Sequence, residues 1–82
     1  MSTPLSMEWK LLTGGKEKRI DVNDNIFEIT FDGYMIFPME EDIDIMRHKD
    51  SDQIGSARVV ELTFKSGMTI CKYQLISLYS VN

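Results

Sequence analysis

Apolar and polar residues alternate with a period of two in stretch after stretch of this chain, and turns separate the stretches. The clearest is Ile26-Phe27-Glu28-Ile29-Thr30-Phe31, then Asp32-Gly33, then Tyr34-Met35-Ile36-Phe37-Pro38. Alternation of this kind is the mark of half-buried strands. A two-residue Asp-Gly turn between them predicts a β-hairpin pairing Phe31 with Tyr34, Ile29 with Ile36 and Phe27 with Pro38. Those six residues would form the core face. Met35 and Phe37 would then share the opposite face with Glu28 and Thr30.

The same reading extends along the chain. Leu5, Met7, Trp9 and Leu11 fall on one face of a first strand, and Ile20 and Val22 would be buried by a second. Ile43 and Ile45 point one way while Asp42 and Asp44 point the other. Ser66-Gly67 predicts a second hairpin with Leu62 opposite Cys71 and Val60 opposite Tyr73. The apolar phase then shifts from Leu75 to Ile76 and Leu78, which signals a bulge. Strands are expected near 5–12, 18–22, 26–31, 34–39, 42–47, 56–65 and 68–79. No segment has a helical period. The expected fold is all-β: one domain over residues 1–82, built as a small six- or seven-stranded antiparallel barrel or a strongly coiled sheet.

Size and composition narrow the function. Eighty-two residues that are 43% hydrophobic support one core. The single cysteine allows no internal disulfide, which suits a reducing cytoplasm. Nothing at the N-terminus reads as a signal peptide, and no apolar run approaches the ~20 residues of a membrane helix. A cytoplasmic location without membrane attachment is expected. The net charge of −4 disfavours nucleic acid, whose binders carry a basic surplus.

Candidate chemistry is sparse. Cys71 sits in the core register and reads as a small buried hydrophobe. His48 lies in a polar loop between Arg47 and Lys49, and a zinc site needs more ligands than this chain offers. Asp42 and Asp44, with Asp50 and Asp52, are weak candidates for a hard cation. They lack the remainder of a calcium loop and read better as a charged edge. Lys16, Lys18 and Arg19 form a basic cluster, with Arg47 as a further cation. No catalytic constellation and no cofactor motif is present, so a non-enzymatic protein is expected.

Three stretches carry a resemblance: Gly15-Lys16-Glu17-Lys18-Arg19-Ile20, Gly33-Tyr34-Met35-Ile36-Phe37-Pro38, and the segment from Tyr73 to Asn82. In these the chain resembles a family of short proteins from Bacillus-type bacteria, the domain of unknown function 2584. The region from Glu40 to Gln53 is more acidic than that family leads one to expect. The resemblance implies a small β-barrel-like fold and a cytoplasmic location, and it brings no activity, cofactor or catalytic residue. A thinner likeness, in Ile54 to Glu61 and Ser66 to Ile70, is to the barrel domains of translation factors. The expected role is protein–protein interaction or self-association through Met35 and Phe37. The alternative is a ribosome- or RNA-associated barrel using Lys16, Lys18, Arg19 and Arg47.

Overall fold

The computed structural model describes residues 5–48 and 53–78. Eight strands run in chain order: β1 Leu5–Met7, β2 Lys10–Leu12, β3 Lys18–Asp21, β4 Ile26–Asp32, β5 Tyr34–Ile36, β6 Asp42–Met46, β7 Gln53–Lys65 and β8 Met68–Leu78. Six form one sheet in the order β2-β6-β7-β8-β4-β3, and β1 pairs with β5 in a separate ribbon. The described residues contain no helix, and so none long and apolar enough to cross a membrane. The all-β expectation holds, but the sheet does not close into a barrel. It is also not wholly antiparallel: β1 with β5 and β2 with β6 are parallel pairs.

The six-stranded sheet curls strongly. Its two edges, β2 and β3, are consecutive in sequence and joined only by residues 13–17. Laid flat, six strands spaced about 4.8 Å apart span roughly 24 Å. The six residue steps from Leu12 to Lys18 reach only about 20 Å when fully stretched. The edges therefore bend toward each other, and Leu12 and Phe31 line the same cavity although four strand places separate β2 from β4. An open seam remains between the two edges.

The concave face carries the core. Leu11, Ile29, Ile43, Ile45, Ala57, Val59, Cys71 and Tyr73 are buried there, together with Phe37. The β7–β8 hairpin is the framework. Its Ser66-Gly67 turn has positive φ at both residues, 52° and 77°, which is the geometry that matches hairpin twist. Leu62 pairs with Cys71 as expected. Val60 does not pair with Tyr73, because Val60 is the extra residue of a bulge and Val59 takes that place. A second bulge falls at Ile76, between the pairs Ser56–Ser77 and Ala57–Leu75, where the sequence changes phase.

The Asp32-Gly33 hairpin does not form. Both edges of β4 are occupied, one by β3 and one by β8. The chain instead turns a corner at Gly33 and leaves the sheet. Gly33 N donates to Gly67 O at 2.7 Å. The buried Thr69 latches the corner: its hydroxyl donates to Gly33 O (2.8 Å) and accepts from Met35 N (2.9 Å). Leaving the sheet resets which way side chains point. Phe37 therefore enters the core, 2% exposed, with its ring 5.7 Å from that of Phe31. Met35 is half-buried and packs against the same core.

Two further expectations are corrected. The first strand breaks at Glu8 and Trp9, so only Leu11 of its apolar face is buried. In β3 a bulge at Ile20 leaves Ile20 exposed, and Val22 beyond the strand is exposed too. Arg19 takes the place facing Phe27, with its guanidinium 4.9 Å from the ring centroid.

Candidate functional site

The predicted partner residues do not form one surface. Phe37 is in the core, so it presents nothing to a partner, and Met35 is half covered. The four cations are divided. Lys18 and Arg19 are adjacent on β3 and so point to opposite faces of the sheet. Lys18 stands opposite Glu28, Glu28 opposite Lys72, and Lys72 opposite Glu61. Four neighbouring strands thus carry alternating charges across the convex face, with Lys72 Nζ 3.3 Å from Glu61 Oε2. Lys18 belongs to this neutral row rather than to a basic patch.

Lys16, Arg19 and Arg47 gather at the open seam. The ladder between β2 and β6 runs on into the turn: Thr13 N donates to Met46 O and Gly14 N to Arg47 O, each at 2.9 Å. Lys16 N then closes the turn on Thr13 O at 3.0 Å. These bonds fix the backbone that carries Arg47 beside Thr13. Arg19, Arg47, Glu17 and Thr13 line a cavity of about 230 Å³ with Phe27, Ile45, Ile54, Tyr73, Leu75 and Leu78. The rings of Phe27 and Tyr73 stack at 5.6 Å and make one wall. Burial, with the nearby negative charge of Glu17, pushes the Tyr73 hydroxyl well above its ordinary 10.0. Two buried atoms at this cavity, Thr13 Oγ1 and Glu17 Oε2, have no hydrogen-bond partner among the described residues.

The acidic candidates are engaged elsewhere. Asp42 Oδ1 accepts from Arg58 Nη2 (2.8 Å) and Nε (3.2 Å). Asp44 Oδ1 accepts from Gln53 Nε2 at 2.6 Å. Asp50 and Asp52 lie outside the described residues. Among the described residues no three His, Cys, Asp or Glu side chains gather as metal ligands would.

Cys71 is fully buried, and burial pushes its thiol from an ordinary 9.0 to about 12. It supplies no thiolate at neutral pH. The pH consequence has a definite sign. Well below pH 9 Cys71 is neutral in both the folded and the unfolded chain, so this group adds no pH dependence to folding there. Between 9.0 and about 12 the unfolded chain ionises first, so stability falls as pH rises. Tyr73 acts in the same direction from its ordinary 10.0 upward. Cys71→Ala is expected to cost on the order of 1 kcal/mol in denaturant melts and to weaken this alkaline sensitivity. The wild-type thiol should react with a thiol reagent far more slowly in the native protein than in denaturant.

A second concavity was not foreseen. Where the first strand breaks, Met7, Glu8, Trp9, Lys10 and Leu12 line a groove of about 470 Å³. Leu5, Met7 and Trp9 are 62%, 59% and 63% exposed. The alternation placed these side chains on one face with Leu11, and the sign of trouble was present in it. Three large apolar residues precede Leu11 on one short run, more than a core of this size readily encloses.

An open, strongly curled six-stranded sheet, capped by a two-stranded ribbon, defines a small all-β domain with a groove on its N-terminal segment and a charged cavity at its seam. The chain belongs to the family described as domain of unknown function (DUF2584), which matches residues 1–82. It is 42% identical over 82 residues to the uncharacterized protein YtmB of Bacillus subtilis (strain 168), covering all of both chains. Its fold matches the X-ray crystal structure of protein ytmB from Bacillus subtilis with a TM-score of 0.89 at 41% identity, over 100% of this chain and 99% of that one.

Proposed function

We propose that the protein is a non-enzymatic binding module whose partner is another protein, docked at the groove beside β1 rather than at Met35 and Phe37. The carrying observation is the exposed run of Leu5, Met7 and Trp9. Met and Trp are enriched at protein interfaces, where a few large anchors supply most of the binding energy. Among the described residues β1 pairs on one side only, with β5, which leaves its other edge for an extended segment. Glu8 and Lys10 stand at the groove as a mixed-charge border. The partner chemistry that fits is an extended peptide segment with an apolar side chain for the groove.

The RNA-associated reading has weaker support, because Lys18 sits in the neutral row and Glu17 stands among the cations of the seam.

Trp9 is the sole tryptophan and reports directly on the groove. In the isolated protein its emission should resemble that of a solvated indole, and it should shift to the blue when a partner docks. Affinity capture from a native extract should recover proteins that Trp9→Ser loses, with the variant's melting temperature unchanged. Identical captured sets for the two forms would refute the groove. A blue shift that grows with protein concentration alone would assign the groove to a second copy of the chain.

A further inference from the structure

We propose that the seam cavity binds a small zwitterion with a branched apolar body, the chemistry of a free aliphatic amino acid. This goes beyond the protein-binding groove and rests on different residues.

The first support is the pair of orphaned polar atoms. Thr13 is 3% exposed, and neither its Oγ1 nor Glu17 Oε2 has a hydrogen-bond partner among the described residues. Buried polar groups are almost always satisfied, because an unmade bond costs the full desolvation of the group. Both atoms belong to residues of one short turn that line the same cavity, and both lie within its wall, where a shift of either side chain would bring it to a bound group. The terminal torsion of a glutamate is broad and roughly two-fold. A small rotation therefore presents the carboxylate to the cavity without moving the backbone.

The second support is the charge pattern. Arg19 and Arg47 line the cavity with Glu17. The guanidinium of Arg19 is already held over the Phe27 ring. A simple anion would meet the arginines but leave Glu17 facing negative charge. A simple cation would satisfy Glu17 but face two guanidinium groups. A wholly apolar molecule would leave Thr13 and Glu17 unsatisfied. A zwitterion meets both requirements: its ammonium donates to Glu17, and its carboxylate accepts from Arg19 and Arg47.

The third support is size and lining. The cavity of about 230 Å³ lies below the ~300–1,000 Å³ of pockets for drug-sized ligands, which suits a small molecule such as a free amino acid. Phe27, Tyr73 and Leu75 provide an apolar wall for the side chain.

The test is an amide-resolved NMR titration of the whole protein with L-leucine. Saturable shifts at Thr13, Glu17, Arg19 and Arg47 are expected at millimolar concentrations. Two analogues separate the charges: 4-methylpentanoate lacks the ammonium and 3-methylbutylamine lacks the carboxylate. Each should bind at least about tenfold more weakly than leucine. Glu17→Gln should weaken leucine by a similar factor. Thr13→Val removes the orphaned hydroxyl while keeping the shape; it should raise the melting temperature of the free protein and still weaken leucine. Trp9→Ser should leave leucine binding unchanged, so failure of the groove and failure of this site can be told apart. The proposal is overturned by the absence of saturable shifts at the seam, by 4-methylpentanoate binding as tightly as leucine, or by a folded Glu17→Gln variant that binds leucine as the wild type does.

Discussion

Phe37→Ser is expected to lower the melting temperature by more than about 12 °C, at ~3–5 kcal/mol for a large-to-small core change and ~4–8 °C per kcal/mol in a domain of this size. The ring is 2% exposed, lies 5.7 Å from that of Phe31, and sits where the ribbon strand returns to the core. Serine leaves a cavity and places a hydroxyl among apolar side chains, so both contributions have the same sign. Against a total stability of about 5–15 kcal/mol, the loss should leave a substantial unfolded fraction on mild warming. Thermal melts followed by far-UV circular dichroism provide the measurement. A variant that melts with the wild type would place the ring on the surface.

The second large effect belongs to Gly55→Ala. Replacing a glycine within a strand by alanine ordinarily stabilises, because the unfolded chain loses freedom. Here the sign reverses. A methyl group at Gly55 would run into the backbone carbonyl oxygen of Ser77 and meet the Cα of Leu78 at 3.3 Å. Neither contact is the far end of a flexible side chain, so the two longest strands must separate locally. The site adjoins the Ile76 bulge and the hydroxyl contact between Ser56 and Ser77 at 2.8 Å. Overpacking of this kind costs ~1–3 kcal/mol even where side chains can adjust, and strand backbone adjusts less. A midpoint in denaturant equal to or above that of wild type would show that the strands absorb the methyl group.

What the sequence revealed follows the range of the interactions. The β7–β8 hairpin was legible because Ser66-Gly67 is a local turn and its flanking alternation is strict up to Leu62 and Cys71. The bulge at Ile76 was legible because a phase shift in the apolar pattern has few other causes. Ile43 and Ile45 were placed correctly for the same reason. The Asp32-Gly33 hairpin misled because an equally good local signal lost to pairing at long range. β8, some forty residues onward, takes the edge of β4 that β5 would have used. That one substitution of partner moved Phe37 from the outer face into the core. In β3, the exposure of Ile20 follows from a one-residue bulge at an edge strand, where few neighbours enforce register. At the seam, the basic cluster was visible as composition. That Lys18 would join a neutral row while Arg19 took the other face, at one cavity with Glu17 and Arg47, depended on a pairing that no local pattern specifies. The N-terminal groove arises because one run of alternation is divided between two partners, β5 and β6.

The strand order also dictates a timetable for synthesis. A ribosome makes this chain from β1 onward, yet β1 and β2 have no partners until Tyr34–Ile36 and Asp42–Met46 have been added. The β3–β4 pair joins the remaining strands only through β8, the last of the described strands to be made. Leu5, Met7, Trp9 and Leu11 therefore wait for their partners while β3 to β6 are made, and the central part of the sheet cannot assemble before β8 has been added. The nascent β1–β2 segment is therefore the stretch that most needs shielding from its neighbours on a polysome.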